Sequence, residues 1–337
     1  FHQADSARAT KLIQTYARIA PEDDEHNLLH SVAFLLAFGD SAGRSRALGA
    51  LDTLPIATSI AVLYLRHPRF GRLQEQVLRR FLARSDAPPW VPWLLFVNLL
   101  NRGRFRAALE FIDNEPTSHD PSSSLYADQP LIAYLLIESG MALPPERIDR
   151  DLSVAGNLQE RNAFFAGAYA ADQGRWPAYD SAVRTLRAAA DRLEASGDSL
   201  DSDWNESAAK VLQAYGRWKR GHGAEALPIL RSLERPTGPT TWMIAWWVGE
   251  LSLELGKQRE AAAYFGSIWG DDATLMALAA FHLGEIYTDL GEFEKARESY
   301  EYALLAWQDA DPEMRPRIEA ARQALARLPK PLRRESQ

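Results

Sequence analysis

Residues 280–303 read AFHLGEIYTDLGEFEKARESYEYA, which is two apolar-periodic stretches joined at Gly291. Residues 245–268, which precede them by 35 positions, read AWWVGELSLELGKQREAAAYFGSI and carry Gly256 at the equivalent place. Gly221 stands another 35 positions earlier. A fixed period of this length is typical of stacked helix hairpins, because each hairpin buries its apolar face only against its neighbours. The period therefore predicts an array of antiparallel helix pairs.

Glycine occupies two kinds of position in this array. One kind follows a helical stretch, where a left-handed backbone is cheap for glycine and costly for a residue with a Cβ atom. These turn glycines are Gly174, Gly221, Gly256 and Gly291. Gly249 and Gly284 instead fall inside helical stretches, where glycine loses about 1 kcal/mol relative to alanine. They predict that two helices approach each other closely at these points.

One hairpin carries a recognisable repeat pattern. It consists of Leu283, Gly284, Tyr287, Gly291, Ala296, Tyr300 and Ala303, and it resembles the tetratricopeptide (TPR) repeat. The pattern is weaker around Gly256, where Ser252 replaces an aromatic residue, and around Gly221; before residue 159 only the helical organisation remains. Residues 279–328 also resemble the C-terminal TPR region of large bacterial signalling and regulatory proteins. The resemblance implies an all-α, right-handed α-solenoid of helix hairpins, a TPR-like superhelix with a C-terminal capping helix.

The whole chain has helical apolar spacing, and no stretch alternates with the two-residue period of a strand. We expect irregular N-terminal helical hairpins in 1–113, an exposed loop in 114–128, TPR-like repeats in 129–310 (most regular in 203–308), a capping helix in 311–328 and a flexible tail in 329–337. The loop contains Pro116, Pro121 and three consecutive serines. Asp311 is placed to cap the last helix, and Pro312 fits its first turn.

Composition narrows the classes of partner. The 337 residues are 46% hydrophobic and include ten Trp, and their net charge of −7 offers no field that would attract nucleic acid or an anionic membrane. The absence of cysteine excludes disulfides and thiolate chemistry. The longest apolar runs, 28–38 and 90–100, are shorter than the roughly 20 residues of a membrane span, so we expect no membrane insertion. A start at Phe1 is expected of a processed product or a piece of a longer polypeptide, and the compartment, cytoplasmic or extracytoplasmic, stays open.

A candidate binding groove follows from the resemblance. In the TPR family the first helix of each hairpin lines a concave surface, and counting from the turn glycines places twelve side chains there. They are Tyr215, Trp218, Lys219, Met243, Trp246, Trp247, Glu250, Glu254, Phe281, His282, Glu285 and Asp289. Aromatic residues flanked by acids suit a protein or peptide that offers apolar anchors and a basic residue. Two other interpretations stay open: Trp246 and Phe281 pack between hairpins, and the carboxylates form a solvated face.

One double variant would test whether this groove binds a partner. We expect Trp247→Ala combined with Glu250→Lys to weaken partner binding while the melting temperature stays nearly unchanged. Unchanged affinity would place the binding site outside this groove. Glu250 and Glu285 also stand where some family members carry a clamp for peptide C-termini, which disfavours binding of that kind.

Motifs for catalysis are weak. His26 and His30 share a helical spacing that metals use, but Asn27 stands where a zinc protease has its general base. There is no phosphate-binding loop, dinucleotide fingerprint or nucleophile elbow. Two acidic clusters are predicted to lie in turns, where acids cap helices. They are Asp271 with Asp272, and Asp198 with Asp201 and Asp203. The sequence predicts no enzymatic activity, catalytic residue, metal or cofactor.

Three functions remain on these grounds. The first is a protein-interaction scaffold or sensor region of a bacterial regulatory protein. The second is a structural module that self-assembles as a homo-oligomer, although the charged final helix resembles a solvating cap and argues against stacking at that end. The third is an all-α enzyme or small-molecule binder that uses the aromatic groove.

Overall fold

The computed structural model describes residue 36 and residues 41–52, 67–116, 129–144, 146–147, 160–233, 241–268 and 275–329. All regular secondary structure in these ranges is helical. The chain forms two compact units, residues 1–99 and residues 100–337. None of the helices in these ranges is both long enough and apolar enough to cross a membrane. Most of the loop expected at 114–128 lies outside the described residues.

The described residues of the first unit form two complete α-helices and most of a third. These are α1 (Ser41–Ala50), α2 (Gly71–Leu82) and α3 (Val91–Asn101), which ends in the second unit. Buried Asn98 holds α3 against α2, because its Nδ2 donates to the Gly71 carbonyl (3.1 Å) and to Gln74 Oε1 (2.7 Å). A short 3-10 turn, Pro68–Phe70, leads into α2.

The second unit is built from helix hairpins. Its helices are α4 (Phe105–Asn114), α5 (Gln129–Glu138), α6 (Glu160–Asp172), α7 (Trp176–Ser196), α8 (Ser199–Lys219), α9 (Gly223–Ser232), α10 (Thr241–Glu254), α11 (Gln258–Ser267), α12 (Met276–Asp289), α13 (Phe293–Ala306) and α14 (Arg315–Arg327). From α6 to α13 each helix packs on the next one in the chain. This succession confirms the all-α solenoid, and α14, which packs on α12 and α13, follows it as a C-terminal helix.

The turn glycines have the predicted conformation. Their φ angles are +65° at Gly174, +88° at Gly221, +72° at Gly256 and +72° at Gly291. At Gly291 the amide donates to the Thr288 carbonyl (3.1 Å) and the next amide donates to the Tyr287 carbonyl (2.8 Å), which is a Schellman cap. A Cβ atom at any of the four would meet no neighbour, so the left-handed backbone alone requires glycine.

The glycines inside helices lie where two helices are in close contact. A Cβ atom at Gly284 would come within 2.6 Å of the Tyr300 ring, and one at Gly249 within 2.8 Å of the Phe265 ring. Real Cβ atoms do not approach that closely, so the aromatic ring of the second helix occupies the space that glycine leaves. The close approach predicted from the sequence is therefore confirmed in α10 and α12.

The two ends of the second unit are joined. The Asp311 amide donates to the Gly103 carbonyl (2.9 Å), and the guanidinium of buried Arg102 pairs with Asp309. Asp311 was expected to cap the helix that follows it. Its Oδ2 instead accepts the Arg106 amide (2.7 Å) in the first turn of α4, while Pro312 does begin a 3-10 turn as expected. The cap of an early helix thus comes from the end of the chain.

Candidate functional site

Helix α5 lies against the stacked hairpins and covers some of their side chains. Its sequence, QPLIAYLLIE, is apolar on all sides, and Leu131 to Leu136 are all buried. A helix of this kind is stable only when other elements surround it. It packs beside α6 and makes hydrogen bonds to α10. We use the name inner face for the side chains of α8, α10 and α12 that point toward α5 and toward residues 139–140, which follow it.

Trp247 lies at the centre of the inner face. Its Nε1 donates to the Tyr134 hydroxyl of α5 at 2.6 Å, and its ring stacks on Tyr215 with 3.9 Å between centroids. The ring of Phe164 from α6 lies 5.8 Å away. Trp247 is 0% exposed, so helices from three parts of the chain enclose it completely.

Trp246 joins α5 to the neighbouring hairpins. Its Nε1 donates to Glu138 Oε2 at 3.2 Å, at the last residue of α5. Its ring contacts Phe265 of α11, with 5.2 Å between centroids, and His282 of α12, at 5.8 Å. Trp246 is 1% exposed and is therefore part of the packing between hairpins.

The apolar members of the predicted groove are inside the molecule. All six are buried, namely Tyr215, Met243, Trp246, Trp247, Trp218 and Phe281. Phe281 packs on Tyr300 and on Trp307, with 6.2 Å and 5.7 Å between ring centroids. Tyr215 stacks on Trp247, and Trp246 and Trp247 donate hydrogen bonds to α5, so the neighbours of these side chains belong to the same chain. The rings of Trp246 and Trp247 are not accessible to a partner while α5 is in place.

The charged members of the predicted groove lie closer to solvent, and several of them connect adjacent hairpins. Glu254 is exposed and accepts the Trp218 indole N–H at 2.7 Å. Asp289 is exposed and accepts from the Gln258 side-chain amide at 2.9 Å. Lys219 pairs with Asp172 of α6 at 2.9 Å. Each contact spans from one hairpin to the next, so these side chains have a structural role in stacking.

His282 lies between two acids. Its Nε2 is 3.5 Å from Glu250 Oε1, and its Nδ1 is 3.3 Å from Glu285 Oε2. Burial raises the pKa of Glu250, and the nearby His282 opposes that rise. Glu285 is exposed, whereas Glu250 is half-buried. We call the buried aromatic members of the predicted groove the aromatic interior, and we call its four acids, Glu250, Glu254, Glu285 and Asp289, the acidic rim.

The groups from other elements that surround these side chains were not predicted from the sequence. Tyr134 and Glu138 come from α5, Asp172 from α6 and Arg317 from α14, where Arg317 Nη1 donates to the Ser139 carbonyl at 2.5 Å. Desolvation lowers the pKa of Arg317, while Glu250 and Glu285 oppose that shift. A usable signal was the unbroken apolar character of residues 131–137, which indicates a helix surrounded by protein.

Two observations bear on small-molecule binding by the second unit. Within the described residues no three His, Cys, Asp or Glu side chains come together in a way that could hold a metal ion. A cavity of about 10 Å³ between Phe105, Leu278 and Trp307 is no larger than a water site. Asp201 lies in the first turn of α8, and Asp203 follows it in the same helix. His26, His30, Asp271 and Asp272 lie outside the described residues.

The hairpins, their turn glycines and their 35-residue period define an all-α repeat protein of TPR-like hairpins. No protein-family model matches the chain, and no curated protein sequence does so either. Among solved structures the chain is similar to one described as the crystal structure of the P58(IPK) TPR domain. The two are 17% identical over 95% of this chain and 93% of that one, with a TM-score of 0.29.

Proposed function

We propose that the second unit is a protein-interaction scaffold whose acidic rim binds a basic segment of a partner protein. The observation that supports this proposal is the burial of the groove aromatics, two of which are hydrogen-bonded to α5, and this burial leaves carboxylates as the accessible part of the predicted site. Glu254, Glu285 and Asp289 are exposed, and they come from consecutive hairpins. Surface carboxylates of this kind set the orientation and association rate of a cationic partner.

The partner in this proposal differs from the one suggested by sequence. A peptide with apolar anchors needs Trp246 and Trp247, and both already donate hydrogen bonds to α5. We therefore place the contact on the rim and require basic side chains of the partner, without an aromatic anchor. A role in a bacterial regulatory protein belongs to the same proposal and rests on the sequence resemblance.

Charge neutralisation on the rim tests the proposal directly. The probe is a fluorescent peptide of about twelve residues rich in arginine, titrated with the full chain at low salt. We expect Glu285→Gln combined with Asp289→Asn to weaken binding by about tenfold, since each rim charge contributes up to roughly 1 kcal/mol. The difference should shrink at high salt because exposed charges are screened.

A matched control separates the rim from net charge. Glu194→Gln combined with Glu298→Gln removes the same two charges at exposed positions of α7 and α13. This variant should bind the probe as the unaltered chain does. Equal weakening by both pairs would mean that only the net charge of the chain attracts the peptide, and the rim proposal would fail.

The join between the ends of the second unit disfavours the self-assembling alternative. Open solenoids polymerise when a terminal hairpin presents an uncovered face. Here residues 100–106 contact residues 307–314, and a Cβ atom at Gly103 would lie 2.8 Å from the Ala310 Cβ atom. The tight contact between these segments supports a scaffold that does not propagate through its C-terminal end.

A further inference from the structure

Glu138 differs from Glu254, Glu285 and Asp289 in its burial: those three carboxylates are exposed, whereas protein atoms surround the carboxylate of Glu138. It is the last residue of α5, and its Oε2 accepts the indole N–H of buried Trp246 at 3.2 Å. Within the described residues no cation forms an ion pair with it. Its carboxylate is therefore held by a neutral donor in a region crowded with protein atoms.

The groups around Glu138 come from every neighbouring element. They are Tyr134 on α5, Asp172 on α6, Tyr215 and Lys219 on α8, Glu250 on α10 and Arg317 on α14. Three charges act on its carboxylate: Asp172 and Glu250 are acids, and the base, Lys219, is already paired with Asp172 at 2.9 Å. The Tyr215 hydroxyl lies beside Tyr134 and Asp172 without a well-aligned hydrogen bond. An ionised Glu138 is thus poorly compensated in its present position.

We propose that Glu138 is a proton-controlled latch on helix α5. The protonated carboxyl holds the end of α5 against Trp246. Ionisation places a second negative charge between Asp172 and Glu250 and loosens that end. Because α5 covers the aromatic interior, the latch controls how often Trp246 and Trp247 become accessible.

The direction of the pH dependence follows from the burial of the carboxylate. Burial raises the pKa of Glu138 from 4.5 to about 6, with Asp172 and Glu250 adding to the rise and Lys219 opposing it. The closed state therefore binds a proton that the open state releases. The stabilisation is complete below about 4.5 and is lost as the pH rises through about 6. A shift of this size corresponds to about a 30-fold change in the opening equilibrium.

The first test follows the Trp246 indole by NMR. Its N–H signal, assigned by its disappearance in Trp246→Phe, should shift with a midpoint near pH 6, since Glu138 is its hydrogen-bond acceptor. In Glu138→Gln, which keeps an acceptor and removes the titration, the midpoint should vanish. In Glu254→Gln, which neutralises the exposed carboxylate bound to Trp218, the Trp246 titration should persist.

The second test measures the opening itself by hydrogen exchange of the α5 amides. After correction for intrinsic exchange, the opening constant should rise by about 15-fold between pH 4.5 and 7.5 in the unaltered chain and stay flat in Glu138→Gln. A Trp246 signal that does not titrate between pH 5 and 7 would overturn the latch. So would an exchange profile that is the same in the two chains. Neither readout depends on the partner proposed above.

Discussion

Trp247 is packed on all sides by side chains of its own chain. It stacks on Tyr215, and its indole N–H is satisfied by the Tyr134 hydroxyl. Removing the ring would leave a large cavity and an unsatisfied buried hydroxyl. The structure therefore overturns the expectation that a Trp247→Ala change leaves the melting temperature nearly unchanged.

We predict that Trp247→Ala lowers the free energy of unfolding by about 3–5 kcal/mol, the usual cost of truncating a fully buried tryptophan. Urea unfolding followed by circular dichroism measures the loss. Glu285→Gln, at an exposed position of α12, is the control and should stay within about 0.5 kcal/mol of the unaltered chain. A Trp247→Ala chain as stable as this control would mean that the ring is not part of the core.

Gly291 shows a backbone effect that is separate from packing. Its φ is +72°, and a Cβ atom there would meet nothing within 4 Å. We predict that Gly291→Val costs more than about 1 kcal/mol of unfolding free energy, because a β-branched residue is strained in the left-handed region. Thermal and urea unfolding provide the measurement.

Gly266 is the matched control for Gly291. It is exposed, lies inside α11, has no left-handed backbone, and a Cβ atom there also meets nothing within 4 Å. Gly266→Ala should therefore stabilise the chain by up to about 1 kcal/mol through helix propensity. If both substitutions had the same sign, the left-handed cap would not be the reason for glycine at 291.

At the scale of elements, the stacking of hairpins depends on regularly spaced side-chain contacts. Glu254 accepts from Trp218 and Asp289 accepts from Gln258, and each acid reaches the preceding hairpin. Arg231 and Glu260 form another such pair between α9 and α11. A charged side chain that the sequence suggests for partner binding can therefore stabilise the contact between adjacent hairpins instead. This double role explains why only part of the predicted groove is available to a partner.

The α4 helix gives an element-scale prediction. Its N-terminal residue has no side-chain cap of its own, and Asp311 supplies one across 205 residues of sequence. We predict that Asp311→Ala costs about 1 kcal/mol of unfolding free energy and speeds amide exchange in the first turn of α4. Asp311→Asn, which retains an acceptor oxygen, should keep most of the protection. Equal loss in both variants would point to the ion pairs nearby and not to the cap.

At the scale of the whole molecule, the described residues between 100 and 140 contact both the C-terminal segment and the inner face of the stacked hairpins. Their first turn is joined to the C-terminal segment through Gly103 and Asp311, and their last helix covers the inner face of the array. Arg317 of α14 adds a hydrogen bond to the Ser139 carbonyl. The interior of the second unit is thus filled by its own chain. Interaction with other proteins is then expected on the rim and outer surfaces.

Several features of the fold were predictable because they are local. The positive φ at Gly174, Gly221, Gly256 and Gly291 follows from what one backbone conformation demands of a side chain. The start of α8 was predicted less accurately. The acidic residues near Asp203 indicated a turn, whereas the helix begins at Ser199. Acids are compatible both with a turn and with the first turn of a helix, so composition does not distinguish the two.

The sequence by itself determined the all-α class, the hairpin period and the places where helices end or approach closely, since these depend on residues at most about 35 positions apart. Only the tertiary structure decided that α5 occupies the inner face. The hydrogen bonds that hold it, from Trp247 to Tyr134 and from Trp246 to Glu138, join residues 113 and 108 positions apart. A contact at such separation leaves no periodic pattern in the sequence. It depends on how the stacked hairpins bring distant surfaces together, and that is set by packing.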